Sequence, residues 1–150
     1  MSLISAYKIT QRAEKPFDLI SLSYEDRFKR RLKMTTEGGI DFLLNLSKAV
    51  ELPVGGAIIL EDGKEIEIAA LHERLYKVKP ENNTSLAKIA WHIGNRHMPC
   101  EIYEEYLMIQ ENAVLGDMLE KLNCSVENIC APFFPMTGAY GQGRTFSHSH

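Results

Sequence analysis

The hydrophobic period of this chain changes partway along, and that change narrows the folds open to it. Through roughly the first seventy residues, apolar side chains recur at every second position between frequent turn signals, the pattern of half-buried strands. Leu3 to Thr10 and Phe17 to Tyr24 are rich in β-branched, leucine and aromatic residues, and Glu14-Lys15-Pro16 breaks them apart. Arg27 to Met34 sets Phe28, Arg30, Leu32 and Met34 in one register, with Lys29, Arg31 and Lys33 on the opposite face. After the turn signal Glu37-Gly38-Gly39, Ile40, Phe42, Leu44 and Leu46 alternate with Asp41, Leu43 and Asn45. Pro53 and Gly55-Gly56 punctuate again. Ala57 to Leu60 and Glu65 to Ile68 then flank Glu61-Asp62-Gly63-Lys64, a hairpin signal. No stretch here shows helical spacing, so residues 1–70 are expected to form a small all-β domain of about six short strands.

The second half has another rhythm. Ala70 to Lys79 reads as a strand closed by Pro80. Thr84 or Ser85 can cap a helix in which Leu86, Ile89, Ala90 and Ile93 share a face, and Gly94 is placed to end it. Cys100 to Tyr103 and Tyr106 to Ile109 can pair across Glu104-Glu105. Ala113 to Asn123 reads as a second helix with Val114, Leu115, Met118, Leu119 and Leu122 on one face, and Val126 to Ala131 as the last strand before Pro132. The order βαββαβ is the ferredoxin-like arrangement. The expected class is therefore α+β: an all-β domain over 1–70, a ferredoxin-like domain over 71–133, and a flexible, largely unpacked tail over 134–150. The boundary between the first two falls near residues 69 to 75.

Composition excludes several functional classes. A net charge of −3 gives no support to nucleic-acid binding, which usually shows a basic imbalance. No apolar run approaches a membrane span, and Met1-Ser2-Leu3-Ile4 lacks the layout of a signal peptide, so a cytoplasmic protein is expected. Cys100, Cys124 and Cys130 are an odd number without a Cys-x-x-Cys pair, which points to reduced, structural thiols. His97-x-x-Cys100 resembles half of a zinc site, but no second pair at ligand spacing accompanies it.

The chemistry resides in histidines. His97 follows the first helix in Gly94-Asn95-Arg96-His97-Met98-Pro99, and His148 and His150 alternate with serine at the end of the tail. Imidazole is the usual protein ligand for Zn, Cu and Ni. His92, beside Trp91, is a further candidate, whereas His72 falls within a strand and reads as structural. Arg96 cannot be a ligand, since its guanidinium stays protonated; a carboxylate partner is expected for it. The basic strand positions Lys29, Arg31 and Lys33 read first as a solvated face and second as a contact patch.

Four segments in order resemble the urease accessory protein E family, nickel chaperones that deliver metal to urease. They are Ile93-Gly94-Asn95-Arg96-His97; Leu71 through Pro80; Gly39 to Leu46 together with Leu60-Glu61-Asp62-Gly63; and Pro132-Phe133 with Gly138-Ala139-Tyr140. The resemblance implies a peptide-binding-like N-terminal domain and a ferredoxin-like metal-binding domain that joins two chains. It implies that His97 meets its symmetry mate and shares Ni(II) with it, with His148 and His150 as tail ligands. The cargo would be Ni(II), with Zn(II) or Cu(II) as competitors, and the partners urease apoprotein and its accessory GTPase complex. The assembly would be a homodimer through the ferredoxin-like domain, with a metal-driven tetramer as the alternative. Some members carry His-x-His before the second helix, where this chain has Glu111-Asn112-Ala113. An all-imidazole site grips loosely enough to release its ion, and affinity should fall as pH drops toward about 6.5, where imidazole protonates.

Two other classes stay open on the residues alone: a zinc-storage or peptide-binding module with incidental metal, and a metal-dependent enzyme. The enzyme reading lacks His-Glu-x-x-His and any nucleophile motif, so no catalytic residue is assigned.

Overall fold

Alternation in the first half does produce strands. The computed structural model describes residues 3–136, and its first six elements are β1 (Ile4–Thr10), β2 (Pro16–Leu22), β3 (Phe28–Thr35), β4 (Asp41–Glu51), β5 (Ala57–Leu60) and β6 (Glu65–Ala70). They form one sheet in the order β2-β6-β5-β1-β4-β3. The inward positions of the alternation, among them Phe42, Leu44, Ile58, Ile66 and Ile68, make its core. The β5–β6 hairpin turns where expected. Gly63 takes a φ of +90°, open to glycine at no steric cost, and Leu60 N–H bonds to the Lys64 carbonyl at 3.0 Å.

The sheet also pairs strands that no turn connects: β1 with β4 and β2 with β6, both parallel. Its outermost strands meet at one end. Glu37 N–H donates to the Leu19 carbonyl at 2.8 Å, and Asp18 accepts from the Thr36 hydroxyl at 2.6 Å and from Gly38 N–H at 3.2 Å. One expectation fails in β3. Arg30 is exposed and does not align with half-buried Leu32 and buried Met34, because the pairing register shifts between Lys29, opposite Val50, and Arg31, opposite Asn45. A bulge of this kind lets neighbouring positions leave strict alternation.

The second unit starts at His72 and contains β7 (Glu73–Pro80), α1 (Leu86–Asn95), β8 (Glu101–Ile102), β9 (Leu107–Gln110), α2 (Ala113–Lys121) and β10 (Cys124–Ala131). The sheet order β10-β7-β9-β8, antiparallel throughout, is the ferredoxin-like topology. Val78, Leu107 and Ile109 of the sheet bury Ile89, Ile93, Leu115 and Leu119 of the helices. The expected strand from Ala70 is really two, since Ala70 ends β6 and β7 opens at Glu73.

The second helix buries the face its sequence suggests, Leu115 and Leu119 in the core with Met118 and Leu122 packed against it, and departs from it only at Val114. Val114 is 79% exposed, while Leu115, Gly116 and Leu119 are buried. A Cβ on Gly116 would lie 3.2 Å from the Tyr76 ring, so the helix approaches the sheet at Gly116. Val114 lies about 200° away from that line at 100° per residue. Phe133 is fully buried, Phe134 N–H donates to Glu101 Oε1 at 2.6 Å, and Met136 N–H donates to the Cys100 carbonyl at 2.9 Å. The expected tail histidines, His148 and His150, lie outside the described residues. Among the described residues no helix is long and apolar enough to cross a membrane.

Candidate metal centre

The end of α1 places the central histidine. Ser85 caps the helix, its hydroxyl accepting from Lys88 N–H at 3.1 Å, and satisfies one of the first-turn amides that have no partner within the helix. Ile89 and Ile93 bury the inner face, with Leu86 and Ala90 packed against the same core. The helix does not stop at Gly94, which lies inside its last turn. It runs to Asn95, with Arg96 as C-cap. His97 then takes the left-handed conformation, φ +59°. Its N–H bonds to the Gly94 carbonyl at 2.9 Å, and Met98 N–H bonds to the Ile93 carbonyl at 3.3 Å. These two bonds define a Schellman motif, and Met98 packs against the cluster that holds Ile93, the apolar contact that accompanies the motif.

His97 thus occupies the position where glycine is the usual residue. A side chain there is strained by sterics against the following carbonyl. Strained non-glycine residues concentrate at functional sites, where the position of the side chain matters more than local stability. The imidazole stands exposed, beyond the last turn of the helix.

The surrounding residues narrow the chemistry. His92 is half-buried, its ring edge-on to Trp91 with centroids 5.1 Å apart and planes at 83°. Arg96 donates from its guanidinium to the His92 carbonyl at 3.2 Å, a cation on the negative end of the helix. Cys100, three residues from His97, is not poised as a soft ligand. Burial, reinforced by the nearby Glu101 carboxylate, pushes its thiol up to about 12, whereas metals bind the thiolate. Its Sγ lies 3.6 Å from the Glu101 carbonyl oxygen. Cys124 is buried and Cys130 exposed. His72 is exposed at the start of the second unit, outside the strand in which its sequence placed it.

Among the described residues, no three His, Cys, Asp or Glu side chains come together as a metal-holding group. His97 therefore offers one imidazole per chain, and no second candidate ligand from the sequence is brought beside it within the described residues. Sequence reasoning also missed Glu101. It is buried at 6% exposure between the Tyr103 hydroxyl and the Phe134 amide, both of which donate to its carboxylate. A charged residue in an otherwise apolar two-residue strand was the available signal.

Comparison with known proteins agrees with this architecture over the whole chain. Residues 3–71 match the model of the UreE urease accessory protein N-terminal domain, and residues 73–150 match that of its C-terminal domain. A protein of Chelativorans sp. (strain BNC1) named urease accessory protein UreE is 43% identical over 148 residues, covering 99% of this chain and 94% of its own length. The protein of the same name from Ruegeria pomeroyi is 44% identical over 133 residues, covering 89% and 87%. That from Azorhizobium caulinodans is 40% identical over 145 residues, covering 93% of this chain and 70% of its own. Two domain models in sequence and several relatives of this similarity place the chain in the UreE family of urease accessory proteins.

Proposed function

We propose that this protein is a cytoplasmic metallochaperone that captures Ni(II) and delivers it during assembly of the urease active site, with no catalytic step of its own. The observation that carries the reading is the exposed His97 in a left-handed position at the end of α1. The chain accepts backbone strain at a site where glycine would remove it, and what it keeps is an imidazole.

One imidazole is too few to hold a divalent cation, which takes four or more ligands in its common geometries. The fuller site is a homodimer in which His97 of each chain meets its mate across a two-fold axis. There one residue supplies two ligands, because an isologous interface repeats every group. His148 and His150 complete the sphere. Dimerisation and metal binding belong to residues 71–133, the β-rich residues 1–70 serve docking, and residues 134–150 carry the tail ligands. A metal-driven tetramer is the next level of assembly. Neutral imidazoles also accept Zn(II) and Cu(II), which compete with nickel. The partners are urease apoprotein and its accessory GTPase complex, and Lys29, Arg31 and Lys33 are the docking contacts proposed for them.

Calorimetric titration with Ni(II), with mass measured in parallel, tests the core of this reading. The tightest site should take one ion per two chains and disappear in His97→Ala. One tight ion per chain that survives the substitution would refute the shared site.

A further inference from the structure

From the open edge of the six-stranded sheet we infer that β3 takes up an extended protein segment as a seventh strand, and that the segment alternates acidic with apolar residues. The inference rests on the docking role proposed for residues 1–70 and deepens it, supplying the chemistry of the partner segment and the manner of its attachment.

β3 is an outermost strand, paired on one side only, with β4. Its far end is closed, where the Thr36 hydroxyl donates to Asp18 and Glu37 N–H donates to the Leu19 carbonyl. Near its start the Arg27 guanidinium donates to the Leu22 carbonyl at 3.1 Å. Between these closures, from Lys29 to Thr35, the main chain bonds to no described residue outside the ladder with β4. Such a row of free N–H and C=O groups is a template for a further strand. β2, the other outermost strand, is less open. Its Leu19 carbonyl is taken by Glu37, and its Leu22 carbonyl also accepts from Leu71 N–H at 2.8 Å.

The two faces of β3 fix what an added strand must carry. On the core side Met34 is buried and Leu32 half-buried, the latter packed at the rim of the cluster that holds Phe42 and Leu44. On the outward side Arg31 and Lys33 are exposed, opposite Asn45 and Leu43 of β4. Exposed Arg30 and half-buried Lys29 add to the positive charge. None of these four cations makes a salt bridge among the described residues. Directly opposed side chains on paired strands lie about 4.5–5.5 Å apart at Cβ. An added strand therefore sets every second residue against Arg31 and Lys33, and the residues between against Leu32 and Met34. Carboxylates suit the first set and apolar side chains the second. A slip of one residue would place carboxylates against Leu32, so the pattern also fixes the register.

The same cations select among partners. A second copy of β3 would bring like charges into opposition, which is destabilising. The row thus keeps the edge from pairing with itself while admitting a strand of opposite sign. A nucleic-acid backbone would meet the charges but offers no alternating amide donors and acceptors to match the main chain of β3.

The full chain is titrated by calorimetry at low salt with the synthetic peptide Thr-Glu-Val-Glu-Val-Glu-Thr, blocked at both ends, and amide hydrogen exchange is followed in parallel. Binding should slow exchange at alternate amides between Lys29 and Thr35. It should weaken about tenfold in Arg31→Glu plus Lys33→Glu, and less in Arg31→Gln plus Lys33→Gln. Two N-methylated peptides separate strand addition from charge attraction. One has its valine amides capped and the other its glutamate amides, and only one set faces β3. One peptide should therefore lose about tenfold or more and the other bind as before. Equal loss in both, or loss in neither, would overturn the inference, as would tighter binding of a polyuridine oligonucleotide. A chain that binds Ni(II) but not the unmodified peptide would overturn this inference alone. A chain that binds the peptide but no Ni(II) would fail the delivery reading and leave the strand site standing.

Discussion

Replacing His97 with glycine should make the metal-free protein more stable while removing the proposed metal site. His97 sits at φ +59° in the Schellman position after α1. A non-glycine residue there carries about 1–2 kcal/mol of left-handed strain, which glycine relieves. Glycine gains extra freedom in the unfolded chain, which takes back part of this, about 0.5–1 kcal/mol. Alanine keeps the strain and lacks the polar side chain that helps some residues tolerate this region. The order expected for the metal-free protein is therefore glycine above histidine and alanine, with glycine and alanine separated by about 1 kcal/mol. In a unit of this size that is about 4–8 °C in Tm, which scanning calorimetry resolves. Gly94→Ala is the internal control. Gly94 lies inside the helix, and a Cβ there meets no atom within 4 Å, so alanine should stabilise by about 0.5–1 kcal/mol. If His97→Gly were no more stable than His97→Ala, the strain argument, and with it the structural case for a functional histidine, would be wrong. Destabilisation by Gly94→Ala would return the helix stop to Gly94.

Two further outcomes are expected. Iodoacetamide at neutral pH should modify exposed Cys130 and spare Cys100, whose thiol is pushed up to about 12 by burial; because the raised value favours the neutral form, that protection holds at neutral pH and is lost as pH climbs toward about 12. Equal labelling of the two, read by peptide mass, would refute the burial argument. Trp91, the single tryptophan, lies two helical turns or less from His97, so Ni(II) should quench its fluorescence in the native chain and leave His97→Ala unaffected; quenching that persists in the variant would place the ion elsewhere.

Local physics made much of this molecule legible. A period of two forces alternate residues onto opposite faces, so the strands of the first unit and their inward residues, Phe42, Leu44, Ile66 and Ile68, could be read directly. The β5–β6 hairpin followed from its turn residues. In α1 the spacing of Ile89 and Ile93 named the buried face correctly, and of the two expected caps, Thr84 or Ser85, the structure uses Ser85. The place of His97 just past the first helix was also legible. The parallel pairings of β1 with β4 and β2 with β6 were not, because strands unconnected by a turn are matched only by the whole sheet.

Three features were decided by tertiary contact. The one departure on α2 was Val114, left in solvent despite its apolar side chain where the helix approaches Tyr76 at Gly116. The stop of α1 depended on a bond from Met98 back to Ile93, so the left-handed residue became His97 and not the glycine three positions earlier. The path of residues 133–136 depended on Glu101 meeting an amide 33 positions away. Hydrophobic periodicity reports what a residue prefers among its sequence neighbours. It carries no term for a backbone N–H that finds its acceptor only after the sheet has formed.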